Sequence, residues 1–121
     1  MRLEKDEALF MSIWAENGVY ELPRGEMSGL DGIRQLVHKV WREVPKCHHH
    51  ITNALIEIEG DSATARTDVI YYRQTDDGVL QLLSGTYAFR FARIAGEWKT
   101  NLLKFTSFDT VSPAFSEKIE K

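Results

Sequence analysis

Apolar residues recur at helical spacing at the start of the chain: Leu3, Leu9, Phe10, Ile13 and Trp14 share one face, and Glu4, Lys5, Asp6 and Glu7 fill the other. The pattern predicts an amphipathic helix that Asn17-Gly18 ends. VYEL (19–22) reads as a short strand stopped by Pro23, and RGEMSGLDG (24–32) as a loop closing on Asp31, the predicted N-cap of a second helix. That helix carries Ile33, Leu36, Val37, Val40 and Trp41 on one stripe and stops at Pro45, with Arg34, His38, Lys39 and Arg42 turned to water.

From there the period changes from helix to strand. Residues 48–59 and 63–74 are rich in β-branched side chains and are joined by Gly60-Asp61, a tight hairpin signal. Asp76-Asp77-Gly78 turns the chain into a run over 79–94, and Ala95-Gly96-Glu97 turns it again into 98–108. Four long strands joined by short turns predict an antiparallel meander whose preceding helices cover one face. The class is α+β, and such a sheet, if strongly curved, wraps around its N-terminal helices as a cone and leaves a pocket inside. Val69, Tyr71, Leu83, Tyr87 and Phe89 are read as apolar positions of the outer face. Such a face predicts a homo-oligomer, with a dimer favoured over a trimer.

Composition narrows the partners. The 121 residues hold 43% hydrophobic side chains, enough for one core, so a single domain over 1–121 is expected, with a partly mobile tail at 113–121. Fifteen Lys and Arg against eighteen Asp and Glu give a net charge of −3, and the basic residues form no stripe, so nucleic acid is not an expected partner. No apolar run suits a secretory signal or a membrane span, and the lone Cys47 fits a reducing compartment, so a cytoplasmic protein away from membranes is expected.

The stretch KCHHHITN (46–53) is the chemical puzzle. Successive strand residues point to opposite faces, so His49 stands apart from His48 and His50, and the three cannot converge on a metal. No metal is expected. Regular alternation has a difficulty: Ala54, Ile56 and Ile58 would share a face with His48 and His50. Either a bulge shifts the register between Thr52 and Ala54, or both faces of the strand are covered.

The segments SIWAENGVYE, GIRQLV, HHHITN, EGDSATARTD, SGTYAFRFARIAGEWK and SFDTVSP, in that order, resemble the SnoaL-like branch of the nuclear transport factor 2-like superfamily over residues 9–113. The resemblance implies the cone fold and a pocket for a small hydrophobic, cyclic ligand. It also implies acid–base chemistry without a cofactor, in a superfamily that hosts dehydratases, isomerases, cyclases, dehydrochlorinases and plain binding proteins. A histidine four residues before the asparagine of the H-x-x-T-N-like element serves as general base in catalytic relatives, which selects His49 here, with Asn53 beside it. Their orienting aspartate would fall near Leu3, in a first helix that is short in this chain. Asp68 is the expected substitute, and Glu4 or Asp6 could also reach the pocket mouth. Asn101 stands where the dehydrochlorinases carry an arginine, with Lys104 as a candidate replacement cation. Trp14, Tyr20 and Tyr87 are the remaining expected substrate-binding residues. Two readings stay open: a cofactor-free lyase or isomerase built on His49 and Asp68, and a non-catalytic binding or oligomerisation module.

Overall fold

The computed structural model describes residues 6–23, 25–43, 47–74 and 77–111, the side chains of 109–111 excepted. In chain order the elements are α1 (Glu7–Ser12), β1 (Trp14–Leu22), β2 (Gly25–Ser28), α2 (Gly29–Glu43), β3 (Cys47–Glu59), β4 (Ser62–Gln74), β5 (Leu80–Ile94) and β6 (Glu97–Val111). The strands form one six-stranded sheet in the order β2-β1-β6-β5-β4-β3. It is mixed, because β1 runs parallel to β6 while the other pairs are antiparallel. The fold class is α+β, and the expected four-stranded meander is the larger part of this sheet. Leu3, Glu4, Pro45, Asp76 and the tail 113–121 lie outside the described residues.

The two additional strands come from segments with other expectations. Trp14 was expected on the first helix but opens β1, because its backbone neighbours find sheet partners: Trp14 pairs with Thr100, and Thr100 N–H donates to the Ile13 carbonyl at 2.6 Å. α1 stops at Ser12, whose carbonyl accepts from Lys99 Nζ at 2.6 Å, a cation at the negative end of the helix. Asn17-Gly18 is a register break inside β1 rather than a terminator, and a Cβ at Gly18 would meet Trp14 Cε3 at 2.7 Å. The segment expected as loop contains β2, antiparallel to β1. α2 begins at Gly29, so Asp31 lies in the first turn, bonded to Arg34 at 3.2 Å, and is not the cap.

β4 fixes the two faces. Ala63, Ala65, Thr67 and Val69 are buried, whereas Thr64, Arg66, Asp68 and Ile70 are exposed. Directly paired residues share a face, so the buried set continues through Leu83, Gly85, Tyr87 and Phe89 on β5 to Leu103 and Phe105 on β6. Ile33 of α2, with no exposed surface, packs there against Trp14 and Leu103, with Tyr20, Tyr87 and Phe89 around them. This is the inner face. Val69, Tyr71, Leu83, Tyr87 and Phe89, expected outside, therefore line the inside, since alternation along β4 and β5 leaves them no other direction. The outer face carries Arg66, Asp68, Arg90 and Lys104 among Leu55, Ile70 and Leu82. Trp98 is exposed beneath the Arg93 guanidinium, whose carbon lies 4.9 Å from the ring centroid.

α1 is tied to α2 by Glu7, whose carboxylate meets Arg34 Nε at 2.8 Å and His38 Nε2 at 3.1 Å. The His38 hydrogen bond, helped by the charges of His38 and Arg34, holds the Glu7 carboxyl below its usual value of 4.5. A depressed carboxylate pKa contributes stability above the unfolded-state value and loses it as pH falls through the folded-state value. The thermal midpoint of Glu7→Gln is expected to lie below wild type at pH 6 and to converge on it as pH drops below 4.5. A gap that persists unchanged in acid would show that the clamp does not act through the carboxylate charge.

Candidate functional site

β3 begins with Cys47, His48, His49 and His50, and its register on β4 assigns each a side. His49 faces Tyr71, on the inner face, while His48 and His50 pair with Tyr72 and Ile70, on the outer face. The His49 ring stacks on Tyr71 with centroids 4.7 Å apart and planes 20° from parallel. His48 and His50 stack on Tyr72 at 5.1 and 6.0 Å. Strand alternation separates the three imidazoles as expected. A bulge resolves the difficulty of Ile56 and Ile58: Thr52 pairs with Asp68 and Leu55 with Arg66, so Asn53 and Ala54 together oppose Thr67. Asn53 takes the left-handed conformation that makes the bulge, with φ of 55°. Beyond it, Ile56 and Ile58 pair with Ala65 and Ala63 and return to the face of His49.

From His49 a chain of rings crosses the inner face. Tyr71 packs edge-on to Phe105 at 6.2 Å, Phe105 lies 5.4 Å from Tyr87, and Tyr87 lies 5.9 Å from Phe89. At the edge of this wall Ile51, Ile56 and Ile58 remain 54%, 60% and 68% exposed and form an apolar rim. Burial pushes the Tyr20 phenol up to about 12, the Tyr71 charge adding to the effect. Burial likewise raises Tyr71 and, more strongly, Tyr87, whose phenol also senses Tyr20, Tyr71 and Cys47. These phenols stay neutral across the physiological range and face one shared interior as hydrogen-bond donors.

The expected site residues separate into groups. His49, Tyr87 and Tyr20 share the inner face, and Trp14 stacks on Tyr20 at 5.6 Å in the core cluster. Asp68 is not brought to His49. It lies three positions from Tyr71 along β4, an odd offset that turns it outward, and its Oδ2 accepts from Asn53 Nδ2 at 2.8 Å. Asn53 and Asp68 thus serve each other across the outer side of the bulge. Asp6 caps α1, its Oδ1 accepting from Leu9 N–H at 3.0 Å. Lys104 faces outward and pairs with Glu21 at 3.3 Å, beside an outer groove of about 450 Å³ that Arg66 and Arg90 also line. Asn101 occupies a register break in β6 between Thr100 and Leu102, with its Oδ1 buried and without a hydrogen-bond partner among the described residues.

Three residues outside the expected catalytic and substrate-binding set lie beside it. Tyr71 is the platform under His49. Cys47 Sγ lies 3.8 Å from His49 Nδ1, on the same face two residues away. Thr67 is buried at the centre of the inner face. The alternation Ala63-Ala65-Thr67-Val69-Tyr71 could have flagged the threonine as a polar group pointing inward. Among the described residues no cluster of three His, Cys, Asp or Glu side chains is placed to hold a metal ion, and no helix is long and apolar enough to cross a membrane.

Comparison with known proteins agrees with this architecture. The sequence profile of the SnoaL-like domain family matches residues 4–104. The crystal structure of LinA superimposes with a TM-score of 0.85 at 22% identity, covering 93% of this chain and 79% of that one. A type 3 LinA hexachlorocyclohexane dehydrochlorinase from Novosphingobium barchaimii gives 0.84 at 23% identity, covering 93% and 80%. A proposed scytalone dehydratase from Novosphingobium aromaticivorans gives 0.78 at 18% identity, covering 91% and 75%. No curated protein matches in sequence. At these identities the likeness establishes a common fold and leaves the reaction to the residues of this chain.

Proposed function

Because the chain belongs to the SnoaL-like domain family, we propose that it binds a small apolar, cyclic molecule against the inner face of its sheet. In this reading His49 takes a proton from that molecule, and elimination, isomerisation or ring closure follows without a cofactor. The observation that carries the reading is the placement of His49: of the four histidines, it stands on the inner face, beside the aromatic wall and the exposed Ile51–Ile56–Ile58 rim. His49 is exposed at the edge of that face, and an imidazole can accept and return a proton near neutral pH. The imidazole Nδ1 lies 3.8 Å from Cys47 Sγ, on the same face. The neutral phenols of Tyr20 and Tyr87 supply donors for the charge that develops as the proton leaves.

A second reading, a binding module without catalysis, is favoured by one observation: Asp68 is spent on Asn53 at the outer face and does not orient the imidazole. Both readings need the same ligand surface, so the first test addresses that surface. Titration with 2-ethylnaphthalene, an apolar probe of two fused rings, is expected to shift the NMR signals of His49 and Tyr71 while leaving His48, His50 and Tyr72 in place. Shifts confined to the second group, or none at saturation of the probe, would remove the inner face as the binding surface.

A further inference from the structure

We infer that the Thr67 hydroxyl anchors the ligand from the floor of the inner face, donating a hydrogen bond to an acceptor oxygen that the ligand carries. The inference rests on the reading of the inner face as the ligand surface. Thr67 is 7% exposed, and its Oγ1 is buried with no hydrogen-bond partner among the described residues. A buried hydroxyl without a partner has given up water and gained nothing in return, and native structures hold few of them. The backbone around it offers no easy escape, because β4 is paired on both sides and its carbonyls serve the two ladders.

The surroundings fit an anchor better than a packing accident. Thr67 sits opposite the Asn53–Ala54 bulge on one side and Tyr87 on the other. On the inner face its neighbours are Ala65 and Val69 along β4, Tyr87 directly opposite on β5, and Gly85 and Phe89 on the diagonals. Thr67 thus puts one hydroxyl on an otherwise apolar and aromatic stretch of the inner face. Tyr87, also a neutral phenol, is a second donor across from it. Either hydroxyl can donate to a carbonyl or ether oxygen of a ligand.

Position sets the shape of the ligand. Tyr71, the platform of His49, lies four residues from Thr67 along β4, about 13 Å at roughly 3.3 Å per residue. The acceptor therefore belongs at the end of the ligand remote from the proton that His49 takes, on a body of two fused rings or more. Thr67 Oγ1 is buried, so engaging it takes the displacement of a neighbouring side chain.

The test compares 2-acetylnaphthalene with 2-ethylnaphthalene, the same body with and without the carbonyl, on wild type, Thr67→Val and Thr67→Ser. Wild-type affinity for the ketone is expected to fall roughly fivefold in Thr67→Val, the size of one hydrogen bond, while affinity for the hydrocarbon stays within twofold and Thr67→Ser retains the ketone preference. Thr67→Val is also expected to melt no lower than wild type, since a methyl replaces an unsatisfied hydroxyl of the same shape. Equal losses for both probes, no loss for either, or a valine variant that melts several degrees lower would overturn the anchor. Failure of both probes to bind wild type would instead bring down the ligand surface itself, a different outcome from the first three.

Discussion

Gly85→Ala is expected to lose about 3 kcal/mol of folding stability, in the upper range for forcing an extra methyl into a packed interior. A Cβ there would run into the Thr106 carbonyl oxygen and would lie 2.8 and 3.1 Å from two carbons of the Phe105 ring. Neither neighbour can yield cheaply. The carbonyl belongs to β6, which pairs with β5 on both sides of this point, and the ring is held between Tyr71 and Tyr87. Gly96→Ala is the contrast. It sits at φ of +81° in the β5–β6 turn with nothing near its Cβ, so its cost is conformational, about 1 kcal/mol. Urea denaturation with unchanged m-values measures both. If Gly85→Ala stayed within about 0.5 kcal/mol of wild type, Phe105 would not be seated on β5, and the aromatic wall leading to His49 would lose its support.

The parts of the fold legible in the sequence are those that local physics dictates. β3 to β6 are long, rich in β-branched and aromatic residues, and separated by turn glycines, so their extents fall within a few residues of the expectation. What escaped reading was set by distant partners. Trp14 and its neighbours have the spacing of a helix, yet they are taken into β1 because β6, some 86 positions later, offers a parallel edge. No window around Trp14 contains that information. β2 is four residues of Gly-Glu-Met-Ser that only pairing with β1 makes into a strand.

The candidate site follows the same division. That His49 parts from His48 and His50 needed only the two-residue period of a strand. Which face each histidine takes depended on the bulge at Asn53, which the pattern of Ile56 and Ile58 required without fixing. Counting back from the Gly60 turn without the bulge would oppose His49 to Tyr72, and the shift of one residue brings it onto Tyr71 instead. Asp68 shows the limit of the reasoning. Adjacency of strands suggested a partner for His49, but parity along β4 turns its carboxylate to the opposite side, where Asn53 claims it. Cys47, beside Nδ1, could be found only from the geometry, because a thiol is not the group one looks for behind an imidazole base.

These placements give the largest functional effect to His49. On any substrate that the protein turns over, His49→Gln is expected to lower kcat/KM by about 10²–10⁴, the usual contribution of one positioned acid–base group, while ligand affinity changes only a few-fold. The two variables separate because the imidazole stands at the edge of the wall, stacked on Tyr71, and the bulk of the apolar surface survives its loss. The pH–rate profile of wild type should show a limb in the imidazole range that the glutamine variant lacks. No phenol limb should follow it through the usual range near 10, since burial holds Tyr20 neutral to about 12. Asp68→Asn is expected to stay within about twofold of wild type, because its carboxylate faces away from the site. Equal losses from His49→Gln and Asp68→Asn would mean that the two faces communicate and that the dyad exists after all. A glutamine variant as active as wild type would remove His49 from the chemistry, whereas ligand binding with no turnover in wild type is the outcome of the binding-module reading.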